Sequence, residues 1–267
     1  MSADGAAPAS APAALSFVEA GRGEGLILLH GLGASHLDWE AQLPAFSASR
    51  RVVAPDLRGY GDSPHAGDYR VPTFAADVWA LADRLGLQRF DLVGHSMGGA
   101  VALQMAVDAP QRIRRLVLAD TLPSFVADSL AKRWMFWYRL LAVRLLGQER
   151  LARAVAERTF PDPGQEALRE RMAQRGARTD SRVYLDTVRN LRGWTVVDRL
   201  DRLTLPVLVL AAEHDYFPRR EAERFVENLP DGRLLQVAGA HHQLPVEVPE
   251  LFNRAVLEFL EADPPAG

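Results

Sequence analysis

The stretch Gly94-His95-Ser96-Met97-Gly98-Gly99 carries the plainest chemical meaning in this chain. It follows an apolar run, RFDLV, and precedes AVALQMAVD, whose spacing is helical. A serine on a tight strand-to-helix turn is pushed out of the surface, and glycines on either side let the turn close without Cβ clashes. The helix N-terminus behind it favours developing negative charge. A Ser-capped helix start after a glycine turn would leave the same pattern, so the weight falls on partners. A serine hydroxyl becomes a nucleophile only beside a base, and the base needs a group to orient it. Seven histidines are available, and no cysteine, which removes thiolate nucleophiles, disulfide frameworks, Cys-ligated zinc and iron–sulfur clusters together.

Two later loops supply the partners. The apolar run PVLVLA leads into Ala212-Glu213-His214-Asp215-Tyr216-Phe217-Pro218, and the run RLLQV leads into Ala238-Gly239-Ala240-His241-His242-Gln243. Both put titratable groups just past the end of a strand, the edge of an open α/β sheet where ligands bind. From the residues alone His241 and His242 are both candidate bases. Asp215, Glu213 and, after the run RLVLA, Asp120 are candidate orienting acids.

The elements that must position these groups are legible as alternation. Apolar runs at 26–29, 51–54, 89–93, 115–119, 206–211 and 233–237 suit strands buried on both faces, as in a parallel sheet. Helical spacing fills 38–48, 73–86, 97–109, 219–228 and 249–262. The expected fold is α/β, a mostly parallel sheet with helices on both faces. Alternation lapses over 121–200, which reads helical throughout. There Leu130, Trp134, Trp137, Leu141 and Leu145 recur at spacings of three and four. That segment carries 15 Lys or Arg against 9 Asp or Glu in a chain whose net charge is -3, so its surface differs from the rest. The expected division is a disordered Ala/Pro tail over 1–16, a core over 17–120 and 201–267, and an inserted helical cap over 121–200.

Taken together, HGLG at 30–33, DLRGYGDS at 56–63, GHSMGG at 94–99, the two strand-end loops and EVPELF at 247–252 resemble the α/β-hydrolase superfamily, in particular its capped serine hydrolases. The order Ser96, Asp215, His242 is the chain order of such enzymes. Their usual ending is Gly-His with a Glu five residues on and a Pro seven on. Glu247 and Pro249 stand at those distances from His242, not from His241, so the resemblance selects His242, with His241 where a glycine commonly stands. By the same likeness Asp215 is the acid, with Asp120 kept as competitor. The resemblance also assigns an oxyanion hole to the backbone N–H groups of Leu32 and Met97, each such donor being worth on the order of 10² to 10³ in rate.

The activity this implies is cleavage of a carboxylic ester, lactone or thioester of a small, largely apolar substrate through an acyl-enzyme, with no cofactor and no metal. Carbon–carbon bond hydrolases, enol-lactonases and perhydrolases of the same fold keep a serine and remain alternatives, as does a binding module that has lost catalysis. Trp39, Trp134 and Trp137 are candidate pocket residues, under a lid whose apolar face closes over the site. Asp56, Arg58, Gly59, Gly61 and Ser63 read as a structural turn rather than an anion site. His36 and Asp38 read as loop decoration, since H-x-D has no third metal ligand in register. With a sequence pI of about 6.2 there is no basic stripe for nucleic acid. No apolar run approaches the roughly 20 residues of a bilayer span, so neither membrane insertion nor nucleic acid is expected and a cytoplasmic setting is. These residues leave the oligomeric state open.

Overall fold

The structure, a computed structural model, describes residues 11–262. Seven strands form one sheet: β1 Phe17–Ala20, β2 Glu24–Leu29, β3 Arg50–Pro55, β4 Phe90–His95, β5 Ile113–Ala119, β6 Val207–Ala212 and β7 Gly232–Val237. Their order is β1-β3-β2-β4-β5-β6-β7, with β1 antiparallel to β3 and every other pair parallel. Six strands coincide with the apolar runs. The seventh, β1, is FVEA, a short edge strand whose pairing with Val52–Pro55 caps one side of the sheet.

Ten α-helices connect and cover the strands among the described residues: α1 Leu43–Ser47, α2 Val71–Arg84, α3 Met97–Asp108, α4 Leu130–Leu146, α5 Gln148–Thr159, α6 Glu166–Ala177, α7 Ser181–Leu191, α8 Arg219–Glu227, α9 Leu244–Glu247 and α10 Pro249–Glu261. Alternate residues of each central strand enter opposite cores. Ile27, Leu29, Leu92, Leu116 and Val209 pack with α2, α3, α4, α5 and α7 on one face. Leu26, Leu28, Val93, Val117 and Leu210 pack with Phe46, Phe252 and Val256 on the other. Both faces being buried is why these strands are apolar at consecutive positions.

Three expectations need correction. The helix expected over 38–48 is instead a 3₁₀ turn, His36–Trp39, followed by the short α1. Ser35 caps the turn by accepting from the Leu37 N–H, and Pro44, which has no N–H to donate, begins a new helix rather than continuing the old one. Residues 1–10 of the expected disordered tail lie outside the described residues, but 11–16 are tied down. The Ala13 N–H donates to Asp77 at 2.7 Å, the Ser16 N–H donates to Ser63 Oγ at 2.8 Å, and Leu15 is buried. Finally, the exposed apolar stripe of α4 faces away from the core, as described below.

Helices α4–α7 lie between β5 and β6, where alternation lapsed. The chain enters and leaves this segment side by side. Ser124 bridges Thr195, the Phe125 N–H donates to Trp194 O at 2.8 Å, and Trp194 Nε1 donates to Gln104 Oε1 of α3 at 2.9 Å. None of the helices described is long and apolar enough to cross a membrane.

Candidate active site

Four strand ends converge on one edge of the sheet: β2 delivers His30–Gly33, β4 delivers Ser96, β6 delivers Asp215 and β7 delivers His242. All four are carboxyl ends of parallel strands, so the loops gather there as a consequence of sheet topology.

Ser96 holds φ +51° and ψ −116°, outside the regions that suit a side chain. The turn survives because its surroundings fix it. The Ser96 N–H donates to Ala119 O at 2.9 Å, and Ser96 O accepts from Thr121 Oγ1 at 2.8 Å and from the Gly99 N–H at 2.9 Å. The glycines are demanded by contact rather than by φ. A Cβ at Gly94 would stand 2.5 Å from Gly98 O, and one at Gly98 would run into the carbonyl oxygens of Leu29 and His30. Gly98→Ala must therefore push β2 from α3. We expect it to cost at least the roughly 1–3 kcal/mol of overpacking, read as a lowered denaturant midpoint; a midpoint equal to that of the parent would show that the turn can relax.

His242 Nε2 lies 2.9 Å from Ser96 Oγ, and its Nδ1 lies 2.5 Å from Asp215 Oδ1. With a carboxylate facing Nδ1 the ring proton resides there, leaving the Nε2 lone pair for the serine hydroxyl. Asp215 Oδ1 also accepts from the Tyr216 N–H, which fixes the carboxylate. The imidazole is held on its faces too: the Tyr216 ring lies 4.3 Å away at 34° and the Phe217 ring 5.7 Å away at 72°.

The competitors are occupied elsewhere. Asp120 accepts from the Ala212 N–H at 3.0 Å and from the Leu244 N–H at 3.3 Å, and its contact with an imidazole is to His95, at 3.7 Å. Glu213 accepts from the Gly239 N–H at 2.8 Å. His241 Nδ1 meets Glu247 Oε1 at 2.9 Å, and Glu247 also accepts from the His241 N–H at 2.6 Å. Glu247 thus holds the residue before His242 and anchors the loop that presents it.

His95 is a group that sequence reasoning passed over. Its Nε2–H donates to His242 O at 2.8 Å, tying the serine turn to the histidine loop. Burial above all, and the neighbouring His242, push its pKa down to about 3. It is neutral when folded, whereas the unfolded chain protonates it near 6.5. Stability from this residue is complete above pH 6.5 and drains as the pH falls toward 3, at up to roughly 1.4 kcal/mol per pH unit. Buried His30, also lowered, adds to the same slope. Urea midpoints should fall between pH 7 and pH 5, and His95→Gln, which keeps a donor for His242 O, should fall less. An equal fall in both would remove His95 as the cause.

The loop after β2 is fixed by His30, whose Nε2 accepts from the Leu57 N–H at 3.0 Å and whose Nδ1 meets Gly31 O at 2.8 Å. Leu32 of that loop and Met97, the first residue of α3, line the same cavity as Ser96 and His242. N–H groups in the first turn of a helix have no acceptor within it. The cavity has a volume of about 100 Å³. Its apolar wall includes Phe125, Met135, Phe136, Leu151 and Val155.

None of the three tryptophans expected at the pocket lines this cavity, although Trp134 lines an adjoining one. Trp39 is buried on the opposite side of the sheet against Phe252, with ring centres 6.2 Å apart. Trp134 and Trp137 stack on each other at 4.9 Å and are 62% and 51% exposed. The face that α4 turns inward carries Met135, Phe136 and Arg139, one position away from the stripe chosen by periodicity. The DLRGYGDS segment is a braced turn. Asp56 accepts from the His36 and Asp62 N–H groups, and buried Arg58 forms a two-point pair with Asp77 at 2.5 Å. Asp38 pairs with Arg175 at 3.3 Å and accepts from Gln243 Nε2 at 2.7 Å, while His36 turns to Asp56, so these two side chains serve separate contacts.

With a hydroxyl, an imidazole and a carboxylate in line beside an apolar cavity, the imidazole can take the hydroxyl's proton while the carboxylate stabilises the resulting imidazolium. Residues 25–247 match the sequence model of the alpha/beta hydrolase fold. The chain belongs to that family. A relative from Variovorax paradoxus (strain S110), named as a carbamate hydrolase, RutD, is 34% identical over 251 residues, covering 89% of this chain and 92% of its own. A hydrolase from Pseudomonas aeruginosa PA01 superposes with a TM-score of 0.83 at 30% identity, covering 93% of this chain and 94% of that one. An esterase from Thermogutta terrifontis, solved with malate bound, gives 0.83 at 28% identity over 92% of each chain. As an alpha/beta hydrolase this chain is an enzyme of hydrolytic type.

Proposed function

We propose that the chain is a serine hydrolase that cleaves a carboxylic ester, lactone or thioester of a small substrate through an acyl-enzyme. The supporting observation is the line Ser96 Oγ, His242, Asp215, with separations of 2.9 and 2.5 Å. Ser96 attacks the carbonyl while His242 Nε2 takes its proton, and Asp215 stabilises the imidazolium that results. The N–H groups of Met97 and Leu32 hold the oxyanion. His242 returns the proton to the leaving group and then activates the water that frees the acyl group. Helices α4–α7 act as a cap, because their residues Met135, Phe136, Leu151 and Tyr184 form the side of the cavity opposite the sheet edge.

A carbamate is a second reading, favoured by the Variovorax relative's name and by chemistry, since the same machinery attacks a carbamoyl carbon. Steady-state rates on matched 4-nitrophenyl esters, aliphatic lactones and carbamates rank the readings. Turnover of none of them would remove both.

A further inference from the structure

A second cavity, of about 550 Å³, adjoins the one at Ser96 and lies between α4, α5 and the start of α8. Met135, Arg139, Val155, Tyr216 and Phe217 line both. The cations of these two spaces differ in how they are matched. Arg175 is paired with Asp38 and Glu40 at 3.3 and 2.7 Å. Lys132 is paired with Asp128 and Glu221 at 3.4 and 3.0 Å, and Glu221 is the carboxylate lining the second cavity. Arg139 and Arg158 form no ion pair with any described residue. Both lie by the Tyr216 ring, with guanidinium carbons 5.8 and 4.8 Å from its centre. Of the five N–H donors of Arg139, one is used on Tyr184 Oη at 2.8 Å.

A guanidinium does not lose its proton in a protein, so Arg139 brings a fixed positive charge to an otherwise apolar wall. A half-buried charge without a partner is costly, and such a cost is offset when a ligand supplies the counter-charge. Tyr216 sets the distance. Its ring centre is 4.3 Å from that of His242 and 5.8 Å from the Arg139 guanidinium carbon, so imidazole and guanidinium are no more than about 10 Å apart. An acyl chain of a few carbons spans that interval.

Resting on the acyl-transfer reading above, we propose that Arg139, assisted by Arg158, binds a carboxylate carried by the substrate at the end remote from the scissile bond. The preferred substrates are then anionic: half-esters of short dicarboxylic acids, or lactones and carbamates bearing a free carboxylate. Tyr184 orients the guanidinium and leaves its remaining donors for two-point contact with the carboxylate.

The test compares 4-nitrophenyl hemiglutarate, an anion, with 4-nitrophenyl valerate, its neutral counterpart. In Arg139→Gln the ratio of kcat/KM for the anion to kcat/KM for the neutral ester should fall at least tenfold, chiefly through KM of the anion. Arg158→Gln should shift the same ratio less. Calorimetric titration of glutarate into Ser96→Ala protein reads the site without turnover. Glutarate should bind and Arg139→Gln in that background should weaken it at least tenfold. An unchanged ratio together with unaltered glutarate binding would overturn the carboxylate site. Absence of ester turnover in the parent protein, with Arg139-dependent glutarate binding intact, would instead overturn the acyl-transfer reading and leave the site standing.

Discussion

Ser96→Ala is expected to lower kcat/KM for a 4-nitrophenyl ester by about 10⁴- to 10⁶-fold, the loss seen when a hydrolase nucleophile is removed. The substitution deletes one oxygen, whose partner is His242 Nε2 at 2.9 Å. The backbone contacts that hold the turn, to Ala119 and Thr121, do not involve that oxygen. The denaturant midpoint should therefore stay close to that of the parent, and loss of activity is not loss of fold. His242→Ala should cost a similar factor, and the double variant should be no worse than either single one, because the two groups act as a unit. Labelling of the parent by a fluorophosphonate, absent from Ser96→Ala, reads activation of the hydroxyl independently of any substrate. Residual turnover within tenfold of the parent would mean that another group attacks, or that water is activated directly.

What the sequence could tell about this arrangement follows from how local each signal is. Six of the seven strands were readable because burial on both faces makes them apolar at consecutive positions. Strand β1 was not, since a four-residue edge strand has one partner and an ordinary composition. The glycines around Ser96 are visible as letters, but the contacts that demand them, with β2 and with Thr121, come from elsewhere in the chain. Strand-end position narrowed the partners of Ser96 to a few candidate residues, and the choice of His242 over His241 and of Asp215 over Asp120 and Glu213 came from the resemblance to the α/β-hydrolase superfamily. The pocket wall could be read from neither. Periodicity finds an apolar stripe on α4 without saying which of its faces meets the core. Here Phe136 is buried while Leu130, at 83% exposed, is not. The place of Arg139 in the cavity wall was equally hidden, because an arginine in a basic helix cannot be told from a solvated one until its neighbours are located.

The two aspartates near the histidines separate cleanly by experiment. Asp215→Asn should lower kcat/KM by about 10⁴-fold with little change in stability. An amide facing His242 Nδ1 offers N–H as readily as C=O. The imidazole then moves its proton to Nε2, and that nitrogen can no longer accept from Ser96. Asp120→Asn should do the reverse. Asp120 stands at φ +49°, a conformation asparagine also adopts, so the exchange adds no backbone strain. Its two oxygens each accept from a backbone N–H, those of Ala212 and Leu244, and an amide can accept through one oxygen only. One buried N–H is left opposing an NH₂ group, at a cost of about 1–3 kcal/mol. Burial, followed by the charge of Asp215, holds the Asp120 carboxyl well above the usual carboxylate range, which marks how little it is compensated beyond those two bonds. Asp120→Asn should thus lower the denaturant midpoint while keeping kcat/KM within about tenfold of the parent, the residual loss arising from slack in the Leu244 end of the histidine loop. If instead Asp120→Asn loses about 10⁴-fold and Asp215→Asn is nearly unaffected, the acid that orients His242 in turnover comes from the end of β5, and the loop after β6 must move away before reaction.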